Sequence, residues 1–451
     1  MLSAFANSMK IPELRQRIIF TFSLIFVCRI IATIPAPGID PKALAELMDS
    51  IAQGGAGAFL GLFSLFSGGA LEKFAVGALG IMPYISASII LQLMTAVVPQ
   101  LEKLSREGDA GRQKITQYTR YLTIILCLVQ GFVMARALEN PASFDLSSPV
   151  VPNPGLGFEL LCVLSLTTAS MLLMWLGEQI TERGIGNGIS LIITISIISA
   201  LPQAITTMVG MFSAPEGVQA QFGVFHLIVL VAVFFLVTAG TVALTQGLRK
   251  VPVQYAKRVV GRKVYGGQST YMPLRVNYSG VMPIIFAQAI LMFPGPVLNM
   301  VGKPWATSLA GFFHMESASY LIMYALMLLF FSYFWVATQF NPIQIADDLK
   351  RNGGYVPGIR PGKPTAEFLD RTMTRLTLAG AFFLTCIAVF PILLTNKFRI
   401  DFVVSSFFGG TSLLIMVGVM LDTMRQIESH LLNRHYDGFL KKGKLGSRRG
   451  R

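Results

Sequence analysis

The residues whose types could do chemistry are four histidines, four cysteines and a glycine- and proline-rich loop at 357–364. The histidines form neither an HExxH motif nor a metal cluster, and the cysteines have no metal-ligand or disulfide spacing. The loop, PGIRPGKP, departs from a nucleotide-binding P-loop because Pro357 replaces the first glycine and Pro364 replaces the magnesium-binding hydroxyl residue. The sequence therefore predicts no catalytic residue, no metal and no cofactor, and a protein that is not an enzyme.

The strongest charge pattern is a basic loop between residues 246 and 277, which holds seven basic residues and no acidic one. Apolar runs of spanning length flank it, so the loop must lie outside the hydrocarbon, on the cytosolic side of a membrane. Such a surface is expected to bind something acidic, whether a protein, an RNA or a lipid headgroup. The basic positions are Arg249, Lys250, Lys257, Arg258, Arg262, Lys263 and Arg275.

The composition indicates the membrane elements that must position these residues. Hydrophobic residues make up 53% of the chain and charged residues 13%, with a mean hydropathy of +0.60, which is too apolar for a water-soluble fold. Ten apolar runs are long enough to cross a bilayer as helices. They lie at 18–35, 74–98, 119–136, 157–176, 187–208, 223–245, 279–300, 317–339, 376–395 and 402–421.

The distribution of basic residues predicts the orientation of these spans. If the N-terminus is cytosolic, 30 of the 37 basic residues fall on the cytosolic side and six on the other, and Arg29 lies within a span. Cytosolic loops of membrane proteins carry the excess of lysine and arginine. Both termini are therefore expected in the cytosol.

The positions of the carboxylates argue against two other classes of membrane protein. No aspartate or glutamate lies in the inner part of any predicted span, whereas ion-coupled transporters commonly place one near the midplane. A secondary transporter remains the alternative because ten spans could form its two repeats. An intramembrane enzyme is a third class, but no nucleophile or metal constellation favours it.

Two shorter features have more than one interpretation. The apolar piece 61–70 is broken by Gly68 and Gly69 and is too short to cross. It is either re-entrant or buried against protein, or, as the sequence alone favours, an external amphipathic segment. Two isoleucine pairs, at 85 and 89 and at 189 and 193, each share one helix face. Isoleucine is an ordinary lipid-facing residue, so the spacing alone favours lipid contact over a pore lining.

Six longer motifs in matching order resemble the SecY family of protein-conducting channels, and the resemblance covers about residues 10 to 440. The motifs are 80–89 (GIMPYISASI), 177–188 (GEQITERGIGNG), 255–258 (YAKR), 356–362 (VPGIRPG), 373–378 (MTRLTL) and 409–415 (GGTSLLI).

The resemblance implies an all-α polytopic membrane protein with ten transmembrane helices in two inverted five-helix halves around an hourglass pore. The halves would be 1–208, which contains a re-entrant plug at about 62–74, and 209–421, which contains cytosolic loops 246–277 and 340–375. A basic cytosolic tail would follow at 422–451.

The resemblance also implies site residues and partners. The pore ring falls on Ile85, Ile89, Ile189, Ile193, Ile285 and Ile415. The plug includes Leu62, Phe63, Leu65, Phe66, Gly68, Gly69, Leu71 and Phe74. Docking of a motor or ribosome falls on Arg249, Lys250, Tyr255, Lys257, Arg258, Arg262, Lys263 and Arg360, and a lateral gate on Ser86, Gln92, Gln288 and Phe293.

The implied function is export of unfolded secretory chains and lateral release of transmembrane segments into lipid, in a bacterial cytoplasmic (inner) membrane. The implied partners are the subunits SecE and SecG, the SecA ATPase, the ribosome, signal sequences and unfolded preproteins.

Overall fold

The computed structural model describes most of residues 11–442. The residues in this range that it does not describe are 54–56, 140–149, 213–223, 256–257, 261–262, 266–268, 293, 296–297, 299–302, 315–316, 399 and 401. Most described residues are helical. The helices are α1 (Pro12–Ile31), α2 (Pro41–Gln53), α3 (Gly57–Ser67), α4 (Met82–Val97), α5 (Pro99–Arg106), α6 (Asp109–Glu139), α7 (Leu156–Arg183), α8 (Gly188–Ser199), α9 (Leu201–Phe212), α10 (Val224–Gln246), α11 (Met282–Met292), α12 (Pro304–Gly311), α13 (Ala318–Gln339), α14 (Pro342–Arg351), α15 (Lys363–Phe398), α16 (Phe402–Gly409) and α17 (Thr411–Lys442).

Within the described residues, six helices are long and apolar enough to cross a membrane. They cover Asp109–Glu139, Leu156–Arg183, Gly188–Phe212, His226–Gln246, Ala318–Arg351 and Lys363–Thr395. A seventh span would combine Met82–Val97 with Pro99–Ser105, two segments that meet at 104°. The arrangement of ten helices in two inverted halves stays a prediction.

The run predicted to cross at 74–98 does not form one straight helix. Residues before Met82 form turns, and α4 begins only there, with Pro83 in its first turn. Gly80 has a left-handed backbone (φ +57°), and proline is favoured in the first turn of a helix. Hydropathy reports apolar composition and not backbone geometry, which is why the sequence placed the helix start too early.

The final predicted span is also interrupted. Gly410 has φ +132° and separates α16 from α17. A Cβ at Gly410 would lie 2.8 Å from Val237 Cγ1 and 3.1 Å from Ile387 Cγ2, so a larger residue would collide with neighbouring helices. The break therefore occurs where helices approach too closely for a side chain.

The prediction of an all-α fold is wrong in the basic loop, which forms strands. The three-stranded antiparallel sheet has the order β4–β1–β5, and β2 pairs with β3 as a separate hairpin. Val251 and Val253 are buried on β1 while their neighbours are exposed, as the two-residue period of a strand requires. The strands are β1 (Leu248–Tyr255), β2 (Arg258–Val260), β3 (Lys263–Tyr265), β4 (Ser269–Arg275) and β5 (Gly354–Tyr355).

The chain divides into two compact units, which are described separately. Unit 1 contains Met1–Ala87, Tyr118–Ala200 and Val419–Arg451, and unit 2 contains Ser88–Gln117 and Leu201–Gly418. In unit 1, one core cluster comprises Leu14, Ile18, Ile185 and Ile427. In unit 2, a cluster beneath the sheet comprises Val251, Leu274, Val336, Phe340, Val356, Leu369 and Met373. The predicted division after residue 208 into inverted halves stays a prediction.

Candidate functional site

The predicted plug is a buried segment of unit 1. Residues 62–74 comprise the second half of α3 and the first of the turns that lead to α4. Its large side chains are withdrawn from the surface, so the segment is packed as a core element and not displayed as an external amphipathic loop. The buried members are Phe63, Leu65, Phe66, Leu71 and Phe74; the side chain of Leu62 is outside the described set.

Two left-handed glycines end the plug helix. Gly68 and Gly69 have φ values of +67° and +81°, and the Gly69 amide donates to the Ser64 carbonyl at 3.0 Å. This six-to-one bond with a left-handed glycine is a Schellman cap, which closes the last turn of a helix. Ser64 Oγ then donates to Glu72 Oε1 at 2.6 Å, so the turn folds back on α3.

The plug segment ends in a strained and anchored position. Phe74 has φ +39°, an unfavourable conformation for a residue with a bulky side chain, and is buried. Its carbonyl accepts from the Ala36 amide at 2.9 Å, and the Val76 amide donates to the Ile34 carbonyl at 2.8 Å. These bonds fasten the end of the plug to the chain that follows α1.

The predicted pore ring is distributed over both units. Ile85, Ile189 and Ile193 belong to unit 1, and the other three, Ile89, Ile285 and Ile415, belong to unit 2. All are buried except Ile189, which is half-buried. A Cβ at Gly177 would lie 3.3 Å from Ile189 Cγ1, so Ile189 packs closely on α7. The closed ring stays a prediction.

The predicted gate residues include polar groups that lack partners. Ser86 Oγ and Gln288 Oε1 are buried without a hydrogen bond among the described residues, while Gln92 Nε2 reaches Ser88 Oγ at 3.5 Å. In unit 2, the buried Tyr324 hydroxyl on α13 likewise has no hydrogen bond to a described residue. Phe293 lies outside the described residues. The gate stays a prediction.

The predicted docking loops are joined by the sheet in unit 2. Strand β1 comes from loop 246–277 and pairs antiparallel with β5 from loop 340–375, with Gln254 opposite Tyr355. The Tyr355 hydroxyl donates to Gln254 Oε1 at 3.1 Å. Arg249 and Lys250 are exposed on β1, and Tyr255 is half-buried. Lys257 is outside the described residues, as are the side chains of Arg258, Arg262 and Lys263.

Arg360 lies in a rigid turn that follows β5. Its guanidinium is exposed and makes no hydrogen bond or ion pair with the described residues, whereas its carbonyl accepts from Thr365 Oγ1 at 2.8 Å. Gly358 and Gly362 have φ values of +80° and +100°, and Ile359 packs on the core beneath the sheet. The fold thus fixes the backbone of Arg360 and leaves its charged group available.

An ion pair in unit 1 was missed by sequence reasoning because its members lie on different helices. Arg120 on α6 binds Glu178 on α7 through Nε at 3.1 Å and Nη2 at 2.6 Å. This two-point geometry is the strongest that an arginine and a carboxylate form. Asn187 caps the start of α8, because its Oδ1 accepts from the Ser190 amide at 3.2 Å.

Removing this ion pair should destabilise the chain. Arg120→Met leaves the mostly buried Glu178 carboxylate unpaired, so we expect a loss of about 1–2 kcal/mol in the free energy of unfolding. Denaturant unfolding in detergent measures it, with Arg112→Met, an exposed position on the same helix, as the control. Equal stability of the two variants would contradict the assignment.

No metal centre is apparent: in the described part of the chain, no group of three or more histidine, cysteine, aspartate or glutamate residues could hold a metal ion. The features described are a buried plug segment in unit 1 and a basic surface on the sheet of unit 2.

Comparison with known proteins identifies the family. A SecY family model matches residues 75–424. The chain is 43% identical over 452 residues to the protein translocase subunit SecY of Chlamydia muridarum (strain MoPn / Nigg), covering 97% of this chain and 98% of that protein. It is 44% identical over 440 residues to the same subunit of Escherichia coli (strain K12), covering 96% and 95%.

Solved structures share the fold. One, described as "The plug domain of the SecY protein stablizes the closed state of the translocation channel and maintains a membrane seal", gives a TM-score of 0.58 at 19% identity, covering 92% of this chain and 91% of that chain. Another, "Sec61 in the Canine ribosome-channel complex from the endoplasmic reticulum", gives 0.54 at 17% identity with the same coverage.

The apolar helices and these relatives make the protein a multi-pass membrane protein. The family model covers more than half of the chain, and the relatives match it over almost its full length. This chain therefore belongs to the SecY family and is a protein translocation channel.

Proposed function

We infer that the channel passes unfolded secretory polypeptides out of the cytosol and releases apolar segments sideways into the bilayer. The observation that carries this proposal is the plug segment, which is buried and whose helix ends in two left-handed glycines. Glycine allows the backbone to change direction at little steric cost, so the segment can be packed at rest and displaced during transport. The ten-span architecture, with cytosolic termini in a bacterial inner membrane, completes the proposal.

The resting pore is closed by the ring of isoleucines and by the plug. Isoleucine side chains have no charge or hydrogen-bonding group, so a ring of them does not bind one polypeptide sequence in preference to another as it passes. An apolar constriction also sheds water and thereby excludes ions when no polypeptide fills it. The buried state of Ile285 and Ile415 supports an apolar, water-free setting for these positions.

The energy for transport comes from outside the chain. The exposed cations Arg249 and Lys250 and the exposed guanidinium of Arg360 lie in segments joined by one sheet. Cations fixed on one surface suit an acidic protein or a ribosome, and we propose SecA and the ribosome as alternative partners. A solved neighbour is a ribosome-bound channel. SecE and SecG are the proposed stable subunits.

Reconstitution into proteoliposomes tests the class of function. We expect uptake of an unfolded preprotein that requires SecA and ATP. Solute uptake driven by an ion gradient, without protein uptake, would favour a secondary transporter instead.

Deleting residues 62–70 tests the plug. The deletion removes most of the buried apolar plug segment, so resting ion conductance should rise and preproteins with defective signal sequences should be exported. Planar-bilayer recording measures the conductance, and immunoblotting confirms that the variant is inserted. An inserted variant with the conductance of the full chain would refute sealing by the plug.

A further inference from the structure

We propose that Arg29 is a positioning residue that holds the plug segment in its resting position by binding the carboxyl end of α3. The inference rests on the proposed sealing function of the plug and adds a specific residue that controls it. Everything that carries it lies within unit 1.

Arg29 is a cation in an apolar helix. It lies near the end of α1 and is half-buried, and its Nη2 donates to the Gly68 carbonyl at 3.1 Å. Among the described residues no carboxylate forms an ion pair with it. Charged residues at membrane depth are costly and are retained where a partner satisfies them. Here the only partner of the guanidinium that the described residues provide is the plug backbone.

The end of the plug helix supplies the compensating negative charge. Helix α3 ends at Ser67, and Gly68 is the left-handed residue of its cap. The last carbonyls of a helix carry partial negative charge, and a cation placed there is stabilised. Arg29 therefore binds both a carbonyl and the negative end of the helix dipole.

The fit around Gly68 is close enough to be specific. A Cβ at this position would collide with Arg29 Nη1 and would lie 2.9 Å from Ser199 Oγ and 3.0 Å from Ser196 Cα. Ser199 Oγ is 3.3 Å from the Gly68 carbonyl but only 2.7 Å from the Ser196 carbonyl. Since a hydroxyl has one hydrogen, Ser199 favours its own helix, and Arg29 is the principal donor to the plug.

Displacing the plug would leave the guanidinium without this acceptor. With the plug in place, a cavity of about 20 Å³ beside the guanidinium has room for one water molecule, and Ser67 of the plug forms part of its wall. The resting position of the plug is thus stabilised by the need to satisfy Arg29. The cavity is lined in part by Cys28, Arg29, Ser67, Gly77, Ile192 and Ser196.

The test replaces Arg29 and records resting ion conductance in planar bilayers. Arg29→Met keeps the length of the side chain but removes the charge and the donors, so conductance should rise about tenfold, as expected for loss of one charge-assisted hydrogen bond. Arg29→Lys keeps the charge and should give a smaller rise in conductance. If Arg29→Met is not inserted into the membrane, Arg29→Lys is compared with the unchanged chain instead. Arg17→Met, at an exposed position on the same helix and outside the plug, is the matched control and should change nothing.

The same substitutions in a channel lacking residues 62–70 show whether Arg29 acts through the plug or whether its loss damages the channel in general. If Arg29 acts through the plug, Arg29→Met adds no conductance to that already leaking channel. An equal further rise there would overturn the proposal. A second outcome is that deleting residues 62–70 raises the conductance but Arg29→Met in the full chain does not. That result would overturn the role of Arg29 and would leave sealing by the plug intact. If the channel lacking residues 62–70 does not leak, both the sealing role of the plug and the role of Arg29 are wrong.

Discussion

Arg360→Glu should abolish the proposed transport driven by SecA while leaving the channel folded and inserted. The guanidinium is exposed and unpaired among the described residues, so the native structure loses no contact. A partner surface complementary to a cation meets a repelling carboxylate, which adds repulsion to the lost attraction. ATP-dependent uptake of a preprotein into proteoliposomes measures the effect. We expect no detectable uptake.

Two further variants define what Arg360 contributes. Arg360→Lys keeps the charge but loses the planar fork, so it should retain partial uptake. Arg351→Glu reverses a neighbouring exposed charge at the end of α14 and should have a small effect, because that residue is not held in the rigid turn. Normal uptake by Arg360→Glu would show that the docking assignment is wrong.

Ile415→Asn shifts the resting channel toward its open state. Ile415 is 2% exposed, so an asparagine there places an amide where the structure provides an apolar setting. A polar group hydrates the constriction and weakens the closed state. A bias of about 1.4 kcal/mol changes the ratio of open to closed channels about tenfold. Export of a reporter with a defective signal sequence should rise accordingly, and Ile285→Asn should behave similarly.

Ile90→Asn is the control for the ring. Ile90 lies beside Ile89 on α4 but is 38% exposed, so it should tolerate asparagine with little change in export. Ile192 is unsuitable as a control because it is buried and a Cβ at Gly177 would lie 3.3 Å from its Cδ1. Similar export by Ile90→Asn and Ile415→Asn, at equal protein levels, would indicate general destabilisation and no specific ring.

Sequence patterns predicted helices better than they predicted interruptions. Apolar run length located the helices near 119–136, 157–176 and 317–339, because helical spans need a continuous apolar segment. It did not locate the turns before Met82 or the break at Gly410, which depend on backbone angles and on neighbouring helices. The strands were missed because basic residues and Pro252 obscure the alternation of buried and exposed residues on β1, in which Val251 and Val253 are the buried ones.

The candidate site was predictable only in its local parts. The cap at Asn187 depends only on residues close in the sequence, because its Oδ1 accepts from the Ser190 amide. The bond from Arg29 to Gly68 joins residues 39 positions apart, and the pair of Arg120 and Glu178 joins residues 58 apart. One sequence contains no signal for such contacts, since they depend on how helices pack. The resemblance predicted the plug, whereas the contact between Arg29 and Gly68 was found only in the fold.

The pairing of β1 with β5 has a consequence for how quickly and tightly a partner can bind. Two separate flexible loops would each lose conformational entropy when a partner ordered them. Here the two segments already share a register, Gln254 with Tyr355 and Tyr255 with Gly354, and rest on one apolar cluster. A partner that touches both meets a surface ordered in advance. Its contacts can therefore contribute to affinity without the penalty of assembling the surface during the encounter.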